Sequence, residues 1–147
     1  MGTRCLTYVF DEKYKPIVCI YRQFDGYPEG HGEDLRRILE GVPIVNGIPL
    51  NSNRRLFNGM EELAATLVQK LKEENPQGNI YLVPPVWPPE NYWQEYEWCV
   101  FGKNGRVPTV YYRNTCVSGW IHWLGPLINI LECLKREVKC KESENTK

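Results

Sequence analysis

Side chains alternate strictly over residues 3–10, a segment rich in β-forming residue types. A period of two predicts a strand with two distinct faces. A second β-rich run, residues 17–24, follows a short polar link, and the two runs predict an antiparallel hairpin. Residues 93–101 and 107–113 repeat the signal around Asn104-Gly105, a pair typical of tight hairpin turns. Residues 80–83 predict one more short strand.

Three other stretches have the spacing of helices. An apolar stripe follows Gly32 and ends before Gly41, and leucines recur every four positions between Asn58 and Asn75. A final helix is predicted to begin at Pro126 and to bury Leu127, Ile130, Leu131, Leu134 and Val138. Residues 117–134 are the longest apolar stretch, but Gly125-Pro126 interrupts it. We therefore predict a turn and a buried helix there, and no membrane span.

The predicted elements follow the order β-β-α-loop-α-β-β-β-α, with the loop at residues 42–55. Local hairpins with helices between them predict an α+β fold, with a mainly antiparallel sheet built from hairpins and packed by about three helices. The length of 147 residues suits one domain. We place that domain at residues 1–140 and a flexible C-terminal tail at residues 141–147.

Composition narrows the classes of partner. Basic and acidic residues balance at 18 each, which does not favour a duplex nucleic acid partner. The six cysteines include no CxxC pair, only two histidines accompany them, and the first residues do not resemble a secretory signal. We therefore expect reduced thiols, no metal, no cofactor and a cytoplasmic location. The sequence leaves open whether the chain forms a homo-oligomer.

The densest candidate for chemistry is the segment Asp25-Gly26-Tyr27-Pro28-Glu29-Gly30-His31-Gly32, which precedes a predicted helix. Glycines let a backbone approach a ligand closely, and unpaired amides at a helix start can bind an anion. An arginine can grip a phosphate through two parallel hydrogen bonds. In this interpretation Tyr27 or Trp93 stacks on a base. The predicted ligand-binding residues are Arg22, Asp25, Gly26, Tyr27, Gly30, His31, Gly32, Arg36 and Trp93.

A purely structural interpretation of this segment, which we call the glycine corner, stays open. Its residues would then only turn the chain from strand to helix, with His31 unreactive at the helix entrance. Three nearby carboxylates, those of Glu29, Glu33 and Asp34, also oppose an anion. The glycine spacing matches neither a Walker A loop nor a dinucleotide-binding fingerprint.

Aromatic residues are dense between Trp87 and Trp98. Most such side chains fill a core, and we expect the subset Tyr92, Trp93 and Tyr96 to be the exposed part of this stretch. Catalytic patterns are poor by comparison. His31 is the one candidate for a catalytic group, whereas His122 lies in an apolar run and is expected to be half-buried and hydrogen-bonded.

The start Met1-Gly2-Thr3-Arg4, the run from Ile20 to Gly32 and the segments at residues 58–65 and 80–85 resemble a family of small uncharacterised proteins from bacteria, archaea and their phages. Its shared pattern is an MGTR start and a (F/W)DGYP-x-G-x-G motif. The resemblance transfers no residue role. It implies, by association, an accessory or anti-defence protein, which would act in the host cytoplasm if a phage encodes it.

Together these features lead to one main hypothesis and two alternatives. The main one is a non-enzymatic binding protein for a small anionic ligand, such as a nucleotide or a nucleotide-derived immune signal that a phage protein sequesters. The first alternative is a phosphodiesterase-type enzyme that processes nucleotides with His31. The second is a protein-interaction module that uses the Trp87–Trp98 aromatic patch.

Overall fold

A computed structural model describes residues 2–47 and 54–134, and it confirms the α+β class. Six strands form one sheet in the order β5-β2-β1-β6-β7-β8, and a separate short pair joins β3 to β4. Helices α1 (Glu33–Leu39) and α2 (Gly59–Glu74) are accompanied by a π-helical turn, Pro28–Gly32, and by helical residues 130–134. The strands are β1 (Cys5–Phe10), β2 (Pro16–Arg22), β3 (Ile44–Val45), β4 (Phe57–Asn58), β5 (Ile80–Val83), β6 (Tyr96–Phe101), β7 (Thr109–Asn114) and β8 (Ile121–Leu124).

Both predicted hairpins are present. Strand β1 pairs antiparallel with β2, and β6 pairs antiparallel with β7. The two hairpins join through β1 and β6, which run parallel, with Cys5 opposite Tyr96. Local turn signals do not reveal this central pairing, because its two strands are far apart in the sequence. It makes β1 a fully interior strand.

The alternation along β1 supplies two cores, one on each face of the sheet. Cys5 and Val9 pack in a cluster with the apolar sides of α1 and α2. Leu6, Tyr8 and Phe10 belong to a second cluster, which Trp87 and helical residues 130–134 help to cover. Every residue of β1 is buried, as expected of a strand that is covered on both faces.

The expectation for residues 117–134 was wrong in part. Strand β8 replaces the first half of the expected turn and helix and pairs with the edge of β7. The helix begins at residue 130 and not at Pro126, because Gly125, at φ +76°, turns the chain first. Leu127 is 76% exposed and Leu131 is also exposed, so only Ile130 and Leu134 of the described apolar set are buried. Val138 and the predicted tail lie outside the described residues.

Two smaller predictions also need correction. His122 is exposed and not half-buried, and its Nε2 donates a hydrogen bond to the carbonyl of Gly125 at 2.7 Å. The predicted loop over residues 42–55 contains β3, which pairs in parallel with β4 just beyond the loop. A two-residue pair gives too short a pattern to detect, and residues 48–53 lie outside the described part. Within the described residues, no helix has the length and apolar character to cross a membrane.

Candidate functional site

At the glycine corner, Arg22 is a buried arginine at the end of β2. Its Nε donates to the carbonyl of Phe24 at 2.7 Å. Its Nη1 donates to the Asp34 carboxylate at 2.7 Å and to Nδ1 of His31 at 3.2 Å. An arginine gives up its hydration at a small net cost only when such partners replace it. Here protein groups take the place that we predicted for an anion.

His31 is fully buried and lies between Arg22 and Thr7. Because arginine can only donate, Nδ1 of His31 accepts, and the ring proton is therefore on Nε2. That Nε2 donates to Oγ1 of Thr7 at 2.6 Å. Burial, followed by the charge of Arg22, lowers the pKa of His31 well below its usual value, so the ring is neutral at pH 7. In this tautomer His31 cannot accept the proton of Thr7, and it borders none of the cavities described below.

The amides of the glycine corner also have protein acceptors. Gly26 donates to the carbonyl of Thr3 at 2.9 Å, and His31 donates to that of Asp25 at 2.8 Å. Gly30 and Gly32 both donate to the carbonyl of Tyr27, the latter through the wide π-helical turn. These bonds satisfy the donors that otherwise make a helix start attractive to anions.

Two tryptophan indole groups also donate hydrogen bonds to the glycine corner. Trp98 Nε1 donates to the carbonyl of Gly26 at 3.1 Å, and Trp123 Nε1 donates to that of Gly32 at 2.7 Å. A Cβ on Gly32 would lie 2.8 Å from an atom of each indole ring, and one on Gly26 would lie 2.7 Å from Cβ of Cys5. Both glycines are therefore required by close packing inside the protein, and anion binding by the corner stays a prediction.

The remaining predicted residues lie around this network and do not converge on a cavity. Asp25 adopts a left-handed conformation and accepts a hydrogen bond from the Tyr27 hydroxyl at 3.2 Å. Arg36 pairs with Glu40 at 2.7 Å and lies over the Trp123 ring. Trp93 belongs to a different loop, before β6.

The aromatic stretch divides into buried and exposed members. Trp87 and Trp98 lie in the two cores, so the ends of the predicted patch are not on the surface. Trp93 is 75% exposed, whereas Tyr92 and Tyr96 are half-buried. Trp93 also has a φ of +63°, a region that L-residues with bulky side chains rarely adopt. Among the described residues, Tyr14 is the other aromatic residue in this conformation, at φ +65°.

Tyr14 lies in the turn between β1 and β2, and this turn is tightly bonded. The carboxylate of Asp11 accepts the amides of Lys13 and Lys15 at 2.8 and 2.9 Å. The amide of Asp11 donates to Lys15, and that of Tyr14 donates to Asp11. These bonds hold Tyr14 in a conformation that costs about 1–2 kcal/mol relative to the right-handed one. The side chain is thereby fixed beside the turn between β6 and β7.

A surface cleft opens where these two turns meet, and we call it the Tyr14 cleft. Tyr14 packs edge-on against Phe101 with ring centroids 6.1 Å apart, and Nζ of Lys103 lies 5.5 Å from the Tyr14 ring. The cleft consists of a chamber of about 60 Å³ and an adjoining groove of about 190 Å³. Its chamber is lined by Tyr14, Phe101, Gly102, Lys103, Arg106, Val107, Thr109, Pro126 and Ile128.

Charge distinguishes the Tyr14 cleft from the glycine corner. Lys103 and Arg106 both line its chamber, and the described part of the chain gives neither of them a carboxylate partner. Glu132 is the acidic residue of the groove. The turn that carries both cations is fixed, since Gly105 donates to Ile44 and Asn104 to the Glu12 carboxylate. The chamber therefore combines two available cations with an aromatic and apolar wall.

In residues 2–47 and 54–134, no group of histidine, cysteine or acidic side chains is arranged to hold a metal ion. The hydroxyl of Thr109 is already used, because it donates to the carbonyl of Pro126 at 2.8 Å. The sequence does contain a signal for this cleft, namely the two cations that flank Asn104-Gly105. This signal is not informative by itself, because nothing local in the sequence indicates that Tyr14 lies beside these cations.

Comparison of the chain with protein-family models, with curated proteins and with solved structures gives no match. The resemblance suggested by the glycine corner therefore stays a prediction.

Proposed function

We propose that this protein binds a small anionic ligand with an aromatic or apolar part in the Tyr14 cleft, and that it releases the ligand unchanged. The observation that carries the proposal is the pair of cations, Lys103 and Arg106, beside the ring of Tyr14. Both cations are exposed, but the aromatic and apolar wall beside them keeps water from one side of a bound anion, which strengthens their attraction for it. The chamber is small, about 60 Å³, and it opens into the groove of about 190 Å³, so the ligand would occupy both.

Within this proposal each wall of the cleft has a role. The two cations hold the anionic group, and the longer groove along Ile128 and Asn129 accommodates the rest of the ligand. The ring of Tyr14 offers a stacking surface, and stacking on an aromatic side chain contributes about 1–3 kcal/mol per base. Nucleotides combine all three features and are the first class to test. A nucleotide-derived signal held by an accessory protein is one member of that class.

The test measures binding of a panel of mono-, di- and cyclic nucleotides by thermal shift and by calorimetry. The wild type should bind at least one nucleotide, and chromatography should recover that nucleotide unchanged. Lys103→Ala combined with Arg106→Ala should weaken binding at least tenfold. Lys15→Ala is the matched control, because Lys15 is an exposed cation of the neighbouring turn that does not line the cleft. It should bind like the wild type.

Tyr14→Gly separates binding from folding. Glycine adopts a φ of +65° without strain, so the turn should keep its shape while the ring is lost. The expected result is weaker nucleotide binding in a folded protein. If the wild type binds no nucleotide of the panel, or if the double variant binds as tightly as Lys15→Ala, the proposal is wrong.

A further inference from the structure

A second cavity lies at the other end of the sheet, below the loop that carries Trp93. Its volume is about 380 Å³, and we call it the Arg113 pocket. Its polar lining comes from the loop before β6 and from the β6–β7 pair. None of its residues belongs to the Tyr14 cleft.

Arg113 is held in one orientation by three contacts. It lies directly across from Glu97 in the β6–β7 ladder, and its Nε donates to Oε1 of Glu97 at 2.6 Å. The guanidinium group also lies over the Trp120 ring, 4.8 Å from the centroid. The two terminal nitrogens have no acceptor in the described part of the chain, and the side chain is 35% exposed. A planar guanidinium group that is fixed in this way can bind a carboxylate through two parallel hydrogen bonds without first losing conformational freedom.

Glu97 is almost completely buried, and each of its carboxylate oxygens already has a donor from the protein. It is 3% exposed, one carboxylate oxygen accepts from Arg113, and the other accepts from Nε2 of Gln94 at 2.9 Å. Its charge neutralises that of Arg113 and fixes the orientation of the guanidinium group. Glu97 is therefore a positioning residue, and the ligand contacts must come from other groups.

Glu90 provides the opposite charge. It lines the pocket, is exposed, and has no cationic partner among the described residues. The backbone around it is held in place, because its carbonyl accepts from Nε2 of Gln94 at 2.9 Å and the Asn91 side chain accepts from the amide of Trp93 at 2.8 Å. The pocket thus has a carboxylate and a guanidinium in its lining that do not pair with each other.

We propose that the Arg113 pocket binds a free α-amino acid as a zwitterion, with its carboxylate on Arg113 and its ammonium group on Glu90. The free terminal N–H groups of Arg113 and the unpaired carboxylate of Glu90 line one cavity, and they match a ligand that carries a carboxylate and an ammonium group on neighbouring atoms. Pro89 and Val117 complete the lining with apolar surface, which suits an aliphatic side chain. A simple anion is disfavoured, because Glu90 and Glu97 outnumber Arg113.

The test titrates the full chain with L-valine, N-acetyl-L-valine and L-valinamide, each up to about 10 mM, which detects a Kd near 1 mM in calorimetry. L-valine should bind. The acetylated form lacks the positive charge and the amide form lacks the negative charge, so each should bind at least tenfold more weakly. Equal binding of all three compounds, or binding of none of them, overturns the proposal.

Two variants locate the site and keep a positive charge beside Glu97. Glu90→Gln should weaken L-valine binding about tenfold or more, whereas Glu95→Gln, at an exposed carboxylate of the same loop outside the pocket, should not. Arg113→Lys keeps the positive charge beside Glu97 but removes the guanidinium group that would make two parallel hydrogen bonds. It should therefore also weaken L-valine binding in a protein that still folds. Unchanged L-valine binding in Glu90→Gln or Arg113→Lys overturns the proposal.

Discussion

Replacing Gly32 by alanine tests whether the glycine corner is required by internal packing. Gly32 has right-handed helical angles, φ −60° and ψ −41°, so alanine brings no backbone strain and favours the helix by up to about 1 kcal/mol. The new methyl group would, however, lie 2.8 Å from Cζ2 of Trp123 and from Cη2 of Trp98. Contacts below 3 Å with two large rings force a shift, and such overpacking costs about 1–3 kcal/mol.

A shift of Trp123 would also lengthen its 2.7 Å hydrogen bond to the Gly32 carbonyl, which contributes about 0.5–1.5 kcal/mol. The losses exceed the gain from helix propensity. We therefore expect Gly32→Ala to lower the free energy of unfolding by about 1–3 kcal/mol. Urea unfolding, followed by tryptophan fluorescence and by circular dichroism, measures this change.

A double-mutant cycle with Trp123→Phe shows whether the indole ring is the cause. Phenylalanine removes Nε1 and the ring atoms nearest the new methyl group, so Gly32→Ala should cost about 1 kcal/mol less in that background. The packing explanation is refuted if Gly32→Ala is as stable as the wild type. If the substitution costs the same in both backgrounds, Trp123 makes no contribution to the cost, and the expected coupling to this ring is wrong.

Two further expectations concern the buried network of Arg22, His31 and Thr7. Thr7→Val preserves the shape of the side chain but leaves Nε2 of His31 without its acceptor, so the free energy of unfolding should fall by about 1–3 kcal/mol. The control is Thr66→Val on α2. The described residues make no hydrogen bond to the Thr66 side chain, so this control should change the free energy of unfolding little. The pKa of His31 is lowered in the folded protein, so below about pH 6.5 the unfolded chain binds more protons than the folded one. The free energy of unfolding should therefore fall as the pH decreases below about 6.5. His31 should contribute up to about 1.4 kcal/mol per pH unit to this fall. His31→Asn should remove this part of the slope in urea unfolding measured from pH 7 to pH 5, and an unchanged slope would contradict the assignment.

Much of the fold was predictable because its signals are local. The alternation of residues 3–10 and the turn at Asn104-Gly105 depend only on neighbouring residues, and both predicted hairpins are present. The parallel pairing of β1 with β6 was not predictable in this way, since no local pattern specifies a distant partner. Residues 117–134 were ambiguous because short apolar runs fit a buried strand and a helix equally well.

The candidate sites were harder to predict, for a physical reason. Glycines show that a backbone is approached closely, but they do not show what approaches it. At Gly26 the close group is Cys5 of β1, and at Gly32 it is the indoles of Trp98 and Trp123, which lie far along the chain. Likewise, the left-handed backbone of Tyr14 has no signal in the residue type, because tyrosine is uncommon in that conformation.

The central position of β1 has a consequence for how the chain is made. During synthesis β1 and β2 emerge before β6, so they can pair with each other first, but the other edge of β1 has no partner until β6 has been translated. Until then a hydrophobic strand with unsatisfied backbone groups is open to pairing with other chains. A polypeptide that stops before residue 96 should therefore aggregate or be degraded. Chaperone binding to nascent chains should decline once residue 101 has left the ribosome.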